Sequence, residues 1–404
     1  MDQKSASVTM SATIVAPADV VSNNVLADLQ RSTGEAYGLP GALYSSESFE
    51  VERQVIFAQR WVPVANALDV ANPGDVHPLD VAGWQLLLVR TRDGAIKCFH
   101  NICRHRGMKL VAEPAVGRRA IQCPWHSWTY DLSGRLIATP RLGGIDVNTA
   151  PGFDCAQLSL MEVRCEQWLD FVYVNIDGRA GPFDRFISPL AERFAGYDFD
   201  SLTCIGKVET IFEGNWKLVL EGALENYHLP YCHPQLRSAG REVEWRHDTF
   251  GDCAVAFSYR LDDKRPAATA EQQLQPGDLP GSSNWPAHDD RQNFFNLFPS
   301  GIFICNRRQV LQNIVLPDGP DRTRYARYVY LYGEAATADG HAEQRKALLE
   351  GWKLVGDQDV ELVSRVNGLK KQRDAAGIRT RFSPYWEGTV HNFQKLVARS
   401  LSTE

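Results

Sequence analysis

The sequence predicts an α+β chain of two domains, and three observations carry that expectation. From Trp61 to about Ile176 short strand-like runs alternate with turn signals at Pro73-Gly74, Asp93-Gly94 and Ser133-Gly134. After a Pro182–Pro189 transition, a helix-like stretch from Asn215 to Tyr227 precedes a second strand-like region from about Asp252 to Tyr332. A long helical pattern then runs from about His341 to Lys371.

At 404 residues the chain has room for two domains. Residues 1 to about 40, rich in Ser, Ala and Val without periodicity, read as a loose arm. Residues 41–176 form an all-β module with its entry segment, and 177–404 a second domain. The Pro-, Gly-, Asp- and Gln-rich stretch from Arg265 to Arg291 reads as a long excursion, suited to a lid over a site. No internal repeat or low-complexity region appears.

Composition narrows the function classes. Hydrophobic residues make up 44% and charged residues 23%, as in a soluble globular protein. The net charge of −6 comes without a Lys/Arg block, which argues against nucleic acid or an anionic membrane as partner. Neither a secretory signal nor an apolar run of spanning length is read at the N-terminus or beyond. Nine irregularly spaced cysteines are unlike a disulfide scaffold, so a reducing cytoplasm is expected and grouped Cys and His read as metal ligands first.

The first such group is CRHRG followed by CPWHSW, with 17 residues between His105 and Cys123. Each loop offers one thiolate and one imidazole, at Cys103, His105, Cys123 and His126. Zinc knuckles more often pair Cys with Cys and His with His. The mixed spacing suits a [2Fe–2S] cluster of the Rieske type, two cysteines on one iron and two histidines on the other. Gly107 and Pro124 allow tight turns, and Trp125 and Trp128 are placed to shield the cluster from water. A metal-free or zinc-bound knuckle is the alternative.

The second group lies in NWKLVLEGALENYHLPYCHPQ. On a continuous helix His228 and His233 would diverge by about 140°. Pro230 disfavours helix at Leu229, so the chain should break just after His228 and swing His233 back. Two imidazoles and one carboxylate make the facial triad of non-haem Fe(II) sites. The late helix supplies the carboxylate: Leu348, Trp352, Val355, Asp359, Leu362, Val363 and Val366 fall on one apolar stripe, with Asp359 in its middle. A lone carboxylate on a buried face demands a metal or an ion-pair partner. Asp357 falls on the opposite, solvated face. Glu225, three residues before His228 on the same helical face, reads either as an exposed helix Glu or as an acceptor for that ligand's far nitrogen.

Together these groups resemble the Rieske non-haem iron aromatic-ring-hydroxylating oxygenases, specifically their α subunit, from about Leu39 to the C-terminus. The resemblance implies a Rieske β-sandwich joined to a helix-grip catalytic domain on an antiparallel sheet. It also implies His228, His233 and Asp359 as ligands of a mononuclear Fe(II). Three α subunits then form a ring in which Glu225 bridges His228 to the neighbouring subunit's His126. Two positions depart from the family pattern: Gly222 stands where many members carry Asn, removing a polar contact near the iron, and Trp125 where Tyr is common. Length and the Gln358-Asp359 pair are similar to the homotrimeric, α-only branch of choline, betaine and carnitine oxygenases; an α3β3 assembly is the alternative.

The function implied is that of the terminal component of an NAD(P)H-dependent mono- or dioxygenase. No G-x-G-x-x-G fingerprint follows a predicted strand, so electrons should arrive from a separate reductase, with or without a ferredoxin. The substrate is expected to be a small aromatic or an N-methylated or quaternary ammonium compound, ring-hydroxylated or oxidatively demethylated. NFFNLFPSGIFICN (293–306) should help line its pocket, with Arg307 or Arg308 available for a substrate carboxylate. A Rieske electron carrier without oxygenase chemistry and a zinc-stabilised binding module are the competing readings.

Overall fold

The computed structural model describes residues 21–236, 240–262, 264 and 279–402. The N-terminal arm is not loose from Val21 onward. Ser22 caps helix α1 (Asn23–Leu29), Leu29 and Leu39 are buried, and α1 packs on the C-terminal helix. Helix α2 (Ser46–Val55) follows, with Ser45 as its side-chain cap. Residues 265–278 of the expected excursion lie outside the described residues; 279–291 join the next strand without regular structure.

From Val62 to Asn175 the regular structure is mainly strand. Strands β1 (Val62–Asn66), β2 (Val76–Val81), β3 (Trp84–Arg90) and β4 (Ile96–His100) combine with β8 (Glu162–Trp168) and β9 (Phe171–Asn175). They make a six-stranded antiparallel sheet in the order β1-β9-β8-β4-β3-β2. Between β4 and β8, three short strands, β5 (Ile121–Gln122), β6 (Thr129–Tyr130) and β7 (Leu136–Ala138), form a separate meander. A small core of Leu87, Phe99, Trp128 and Tyr130 joins the meander to the larger sheet.

Helix α3 (Phe183–Arg193) opens the second half. Its centre is a seven-stranded antiparallel sheet, ordered β10-β16-β15-β14-β13-β12-β11. The strands are β10 (Leu202–Phe212), β11 (Glu242–Phe250), β12 (Ala254–Leu261), β13 (Gln292–Leu297), β14 (Gly301–Cys305), β15 (Gln309–Pro317) and β16 (Thr323–Tyr332). Helices α4 (Trp216–Ala223) and α5 (Leu229–Cys232) interrupt the sheet after β10. After β16 come α6 (Gly333–Thr337), the 34-residue α7 (Ala342–Ala375) and α8 (Gly388–Leu401).

Helix α7 lies close on β10. At Gly356 a Cβ would come within 2.6 Å of Thr210 Oγ1, so only glycine permits this approach. The halves are bound by a buried ion pair, Lys217 Nζ to Glu52 Oε1 at 2.5 Å, both side chains fully excluded from solvent. The Trp216 indole also donates to Glu52, at 2.7 Å. Each partner satisfies the other's charge, which is what makes such burial tolerable.

Candidate metal centres and cavity

Cys103 and Cys123 start two loops with the same backbone pattern. In the first, Cys103 N–H donates to Met108 O (2.8 Å) and Gly107 N–H to Cys103 O (3.0 Å). In the second, Cys123 N–H donates to Trp128 O (2.8 Å) and Ser127 N–H to Cys123 O (3.1 Å). The fifth residue of each loop is left-handed, Gly107 at φ +73° and Ser127 at +57°. Sequence gave the glycine a reason; the matching strain at Ser127 carried no signal.

Both cysteines are buried, and the two imidazoles meet edge to face at 4.6 Å. Trp128 stacks on His105 (4.7 Å) and Trp125 on His126 (4.6 Å). Trp128 is buried, whereas Trp125 is itself half exposed and carries Arg106 over its outer face. Burial pushes the Cys103 thiol up, and Cys123 adds to the shift. Burial also lowers the His105 pKa, helped by His126, favouring the neutral imidazole that ligates metal. Paired sulfurs and paired neutral imidazoles on adjacent loops match the donor set of a Rieske cluster.

The second centre forms where α4 gives way to α5. Helix α4 starts at Asn215, whose Oδ1 accepts from Lys217 N–H (3.1 Å), and ends at Ala223. The break therefore comes five residues before His228, not just after it. Glu225 is outside the helix; its carboxylate accepts the backbone N–H groups of Tyr227 and His228 and so caps the next turn. Pro230 does not break a helix but stands in the first turn of α5, where its missing N–H costs nothing.

This turn brings the predicted residues together. Ligand atoms of His228, His233 and Asp359 lie within 4.8 Å of one another. Asp359 Oδ1 is 2.8 Å from His233 Nε2 and 3.9 Å from His228 Nε2. The far nitrogens are also held: His228 Nδ1 by Glu225 Oε1, and His233 Nδ1 by Gln358 Oε1 at 2.7 Å. Gln358 is held by Gln235 Nε2 at 2.6 Å. With both Nδ1 atoms donating, both Nε2 lone pairs converge beside Asp359, which fits a facial-triad iron. Burial opposes the charged form of His228, but Glu225 outweighs it and raises the pKa.

Asp359 is not enclosed in an apolar core. Its side chain is 31% exposed, because the second half of the expected stripe, Leu362 and Val366, faces a cavity. No Lys or Arg pairs with it among the described residues. Asp357 pairs with Lys353 on the solvated face as expected. Glu225 is mostly buried rather than an exposed helix acid.

The cavity encloses about 420 Å³ and reaches all three triad residues. Tyr259, Phe294, Trp352 and Phe212 supply aromatic walls. Phe294, Ile302, Ile304 and Asn306 come from the predicted 293–306 segment, but neither Arg307 nor Arg308 reaches the cavity; Arg307 donates instead to Ser282 O. At Gly222 a Cβ would meet nothing within 4 Å, so the space of the expected Asn is open, while the buried Asn226 reaches the same cavity. Sequence reading missed Gln358 as a contact, Gln235, Tyr130 and Asn226. Only Gln358, adjacent to Asp359, offered a signal.

Fold and centres together define an oxygenase that couples two iron sites. Residues 199–403 match the family model of the ring hydroxylating alpha subunit (catalytic domain), and residues 60–151 that of the Rieske [2Fe-2S] domain. The chain belongs to the ring-hydroxylating α-subunit family. It is a Rieske-type terminal oxygenase whose cofactors are a Rieske [2Fe–2S] cluster and a mononuclear iron.

Its sequence is 26% identical over 373 residues to the carnitine monooxygenase oxygenase subunit of Acinetobacter pittii (strain PHEA-2), covering 90% of this chain and 95% of that one. It is 30% identical over 265 residues to the 2-aminobenzenesulfonate 2,3-dioxygenase subunit alpha of Alcaligenes sp., covering 65% and 64%. The fold superposes with a TM-score of 0.72 on a quaternary ammonium Rieske monooxygenase in complex with substrate L-carnitine, at 24% identity and 90% and 96% coverage. No helix among the described residues is long and apolar enough to cross a membrane.

Proposed function

We propose that the chain hydroxylates or oxidatively demethylates a small N-methylated or quaternary ammonium compound, as the terminal component of an NAD(P)H-dependent system. The observation that carries this reading is the convergence of His228, His233 and Asp359 at an aromatic-walled cavity. The carnitine monooxygenase relative supports the substrate class.

In this reading Cys103 and Cys123 hold one cluster iron, His105 and His126 the other, and His228, His233 and Asp359 the mononuclear iron. These groups, when bound, supply one-electron transfer and dioxygen activation. Glu225 and Gln358 fix the imidazole tautomers and orient both Nε2 atoms inward. Tyr259 and Phe294 offer ring faces to a cationic nitrogen, and Asp359, Glu225 and Glu387 are carboxylates among the same lining.

Glu225 also bridges to His126 of the neighbouring subunit in a ring of three, α3β3 being the alternative assembly. A separate reductase, with or without a ferredoxin, delivers the electrons. Nine cysteines without a disulfide among them suit a cytoplasmic setting.

A second reading, ring hydroxylation of an aromatic acid, is favoured by the same stacked aromatic walls and by the aminobenzenesulfonate relative. Substrate-dependent NADH consumption with a surrogate reductase, screened over methylated amines and aromatic acids, tests both. Incorporation of labelled dioxygen into the product is expected. A protein that binds two irons rather than about three per chain, and oxidises no substrate, is an electron carrier instead.

A further inference from the structure

The sheet that walls the cavity carries two adjacent buried polar side chains, Asn313 and Arg327. Directly opposed residues of antiparallel neighbours share a face. The registers Ile302↔Asn313 and Asn313↔Arg327 therefore align these three across β14, β15 and β16. Ile302 and Arg327 line the cavity, and Asn313 sits between them behind that lining. Asn313 is fully buried, and neither atom of its amide has a partner. Arg327 is 8% exposed, and its Nε–H is unpaired too.

Arg327 is nevertheless held in place. Its Nη1 donates to Trp352 O (3.1 Å) and its Nη2 to Tyr325 Oη (3.0 Å). The guanidinium lies over the Trp352 ring, 4.6 Å from the centroid. The indole N–H of Trp352, on α7, is also without a partner. No carboxylate pairs with Arg327 among the described residues. A strut between β16 and α7 needs only the two tethering bonds. It does not account for an uncompensated guanidinium beside an unsatisfied amide and indole, each costly when buried.

We propose that Arg327 and Trp352, backed by the buried Asn313, form a receptor for an acid group on the substrate, a carboxylate or sulfonate, making the substrate class an acid rather than a neutral arene or an amino alcohol. This deepens the proposed function and rests on its placement of the reaction at Asp359. Guanidinium is the side chain best suited to a planar anion, and the tethers preorganise it. Trp352 and Asp359 are seven residues apart on α7, roughly 10 Å along the axis. The acid group and the reacting carbon are therefore several bonds apart.

The test is calorimetric titration of anaerobic, iron-loaded holoenzyme with two pairs of probes: γ-butyrobetaine and its methyl ester, 3-phenylpropionate and its amide. The carboxylate of at least one pair should bind more tightly than its neutral partner. Arg327→Gln should weaken that carboxylate about 10–100-fold and leave the neutral partner unchanged. Trp352→Phe, which removes the indole donor but keeps an aromatic ring under the guanidinium, should weaken it several-fold. Should Arg327→Gln lose the cluster's visible spectrum, Arg327→Lys replaces it, with a smaller loss again confined to the carboxylate.

If only 3-phenylpropionate binds, and does so through Arg327, the quaternary ammonium reading fails and the acid receptor stands. Carboxylates that bind no better than their neutral partners, or variants that weaken both members of a pair alike, overturn the receptor. These side chains would then be packing around bound water.

Discussion

Gln358 Oε1 lies 2.7 Å from His233 Nδ1 and 2.6 Å from Gln235 Nε2, so one amide oxygen on α7 orients a histidine 125 positions away. Because Gln235 donates to that oxygen, His233 must donate as well, which leaves its Nε2 lone pair facing Asp359. Gln358→Met removes the acceptor at similar volume. Iron affinity of the mononuclear site should fall about 10–100-fold, read by metal titration, while the cluster's visible spectrum stays unchanged. Unaltered affinity would refute the orienting role.

Asp359→Ala should abolish turnover and reduce iron from about three to about two per chain, sparing the cluster spectrum. Asp357→Ala, two residues away, removes only an exposed pair with Lys353 and should change stability by no more than about 0.5 kcal/mol. Retained turnover in the Asp359 variant would remove it from the ligand set.

Tyr130 Oη lies 3.5 Å from Cys103 Sγ and accepts from Arg104 N–H at 3.1 Å. A hydrogen bond to a cluster sulfur stabilises the reduced, more negative state. Tyr130→Phe should therefore lower the cluster's potential, by an amount on the order of tens of millivolts. Protein-film voltammetry measures it; an unchanged potential would show that the hydroxyl serves only the Arg104 backbone.

Burial raises the Glu221 pKa to about 7, against hydrogen bonds from Tyr44 (2.7 Å) and Gln394 (2.9 Å) and the charges of Lys217 and Arg373. A folded-state value above the unfolded value of 4.5 means a contribution fully present below that pH and lost as pH rises to about 7. Glu221→Gln keeps an acceptor for both donors and cannot ionise. It should match the parent near pH 5 and exceed it above pH 7, by about 1–3 kcal/mol. Calorimetric melting across that range decides; parallel curves would contradict it.

How much was legible in the sequence depended on whether the relevant pattern was local. Cys103, His105, Cys123 and His126 stand out as candidate donors because a Rieske cluster needs its donors on two tight loops of set spacing. The His228/His233 pair was visible for the same reason, yet the reason given for its geometry was incomplete. Pro230 lies in a helical turn, and the bend is made earlier by the Glu225 carboxylate, a side-chain cap that helical periodicity does not encode. The apolar stripe found Asp359, although its last residues line a cavity instead of a core.

By itself, then, the sequence determined the α+β class and the family and nominated the candidate metal donors, since these rest on short spacings and on periodicity along single elements. Only the tertiary structure decided that Gln358 serves His233, that Arg307 and Arg308 stay out of the cavity, and that Arg327 enters it. Those facts depend on strand register and on how closely α7 approaches β10 at Gly356. Both are set by packing between residues more than a hundred positions apart in several cases, where no local pattern records who meets whom.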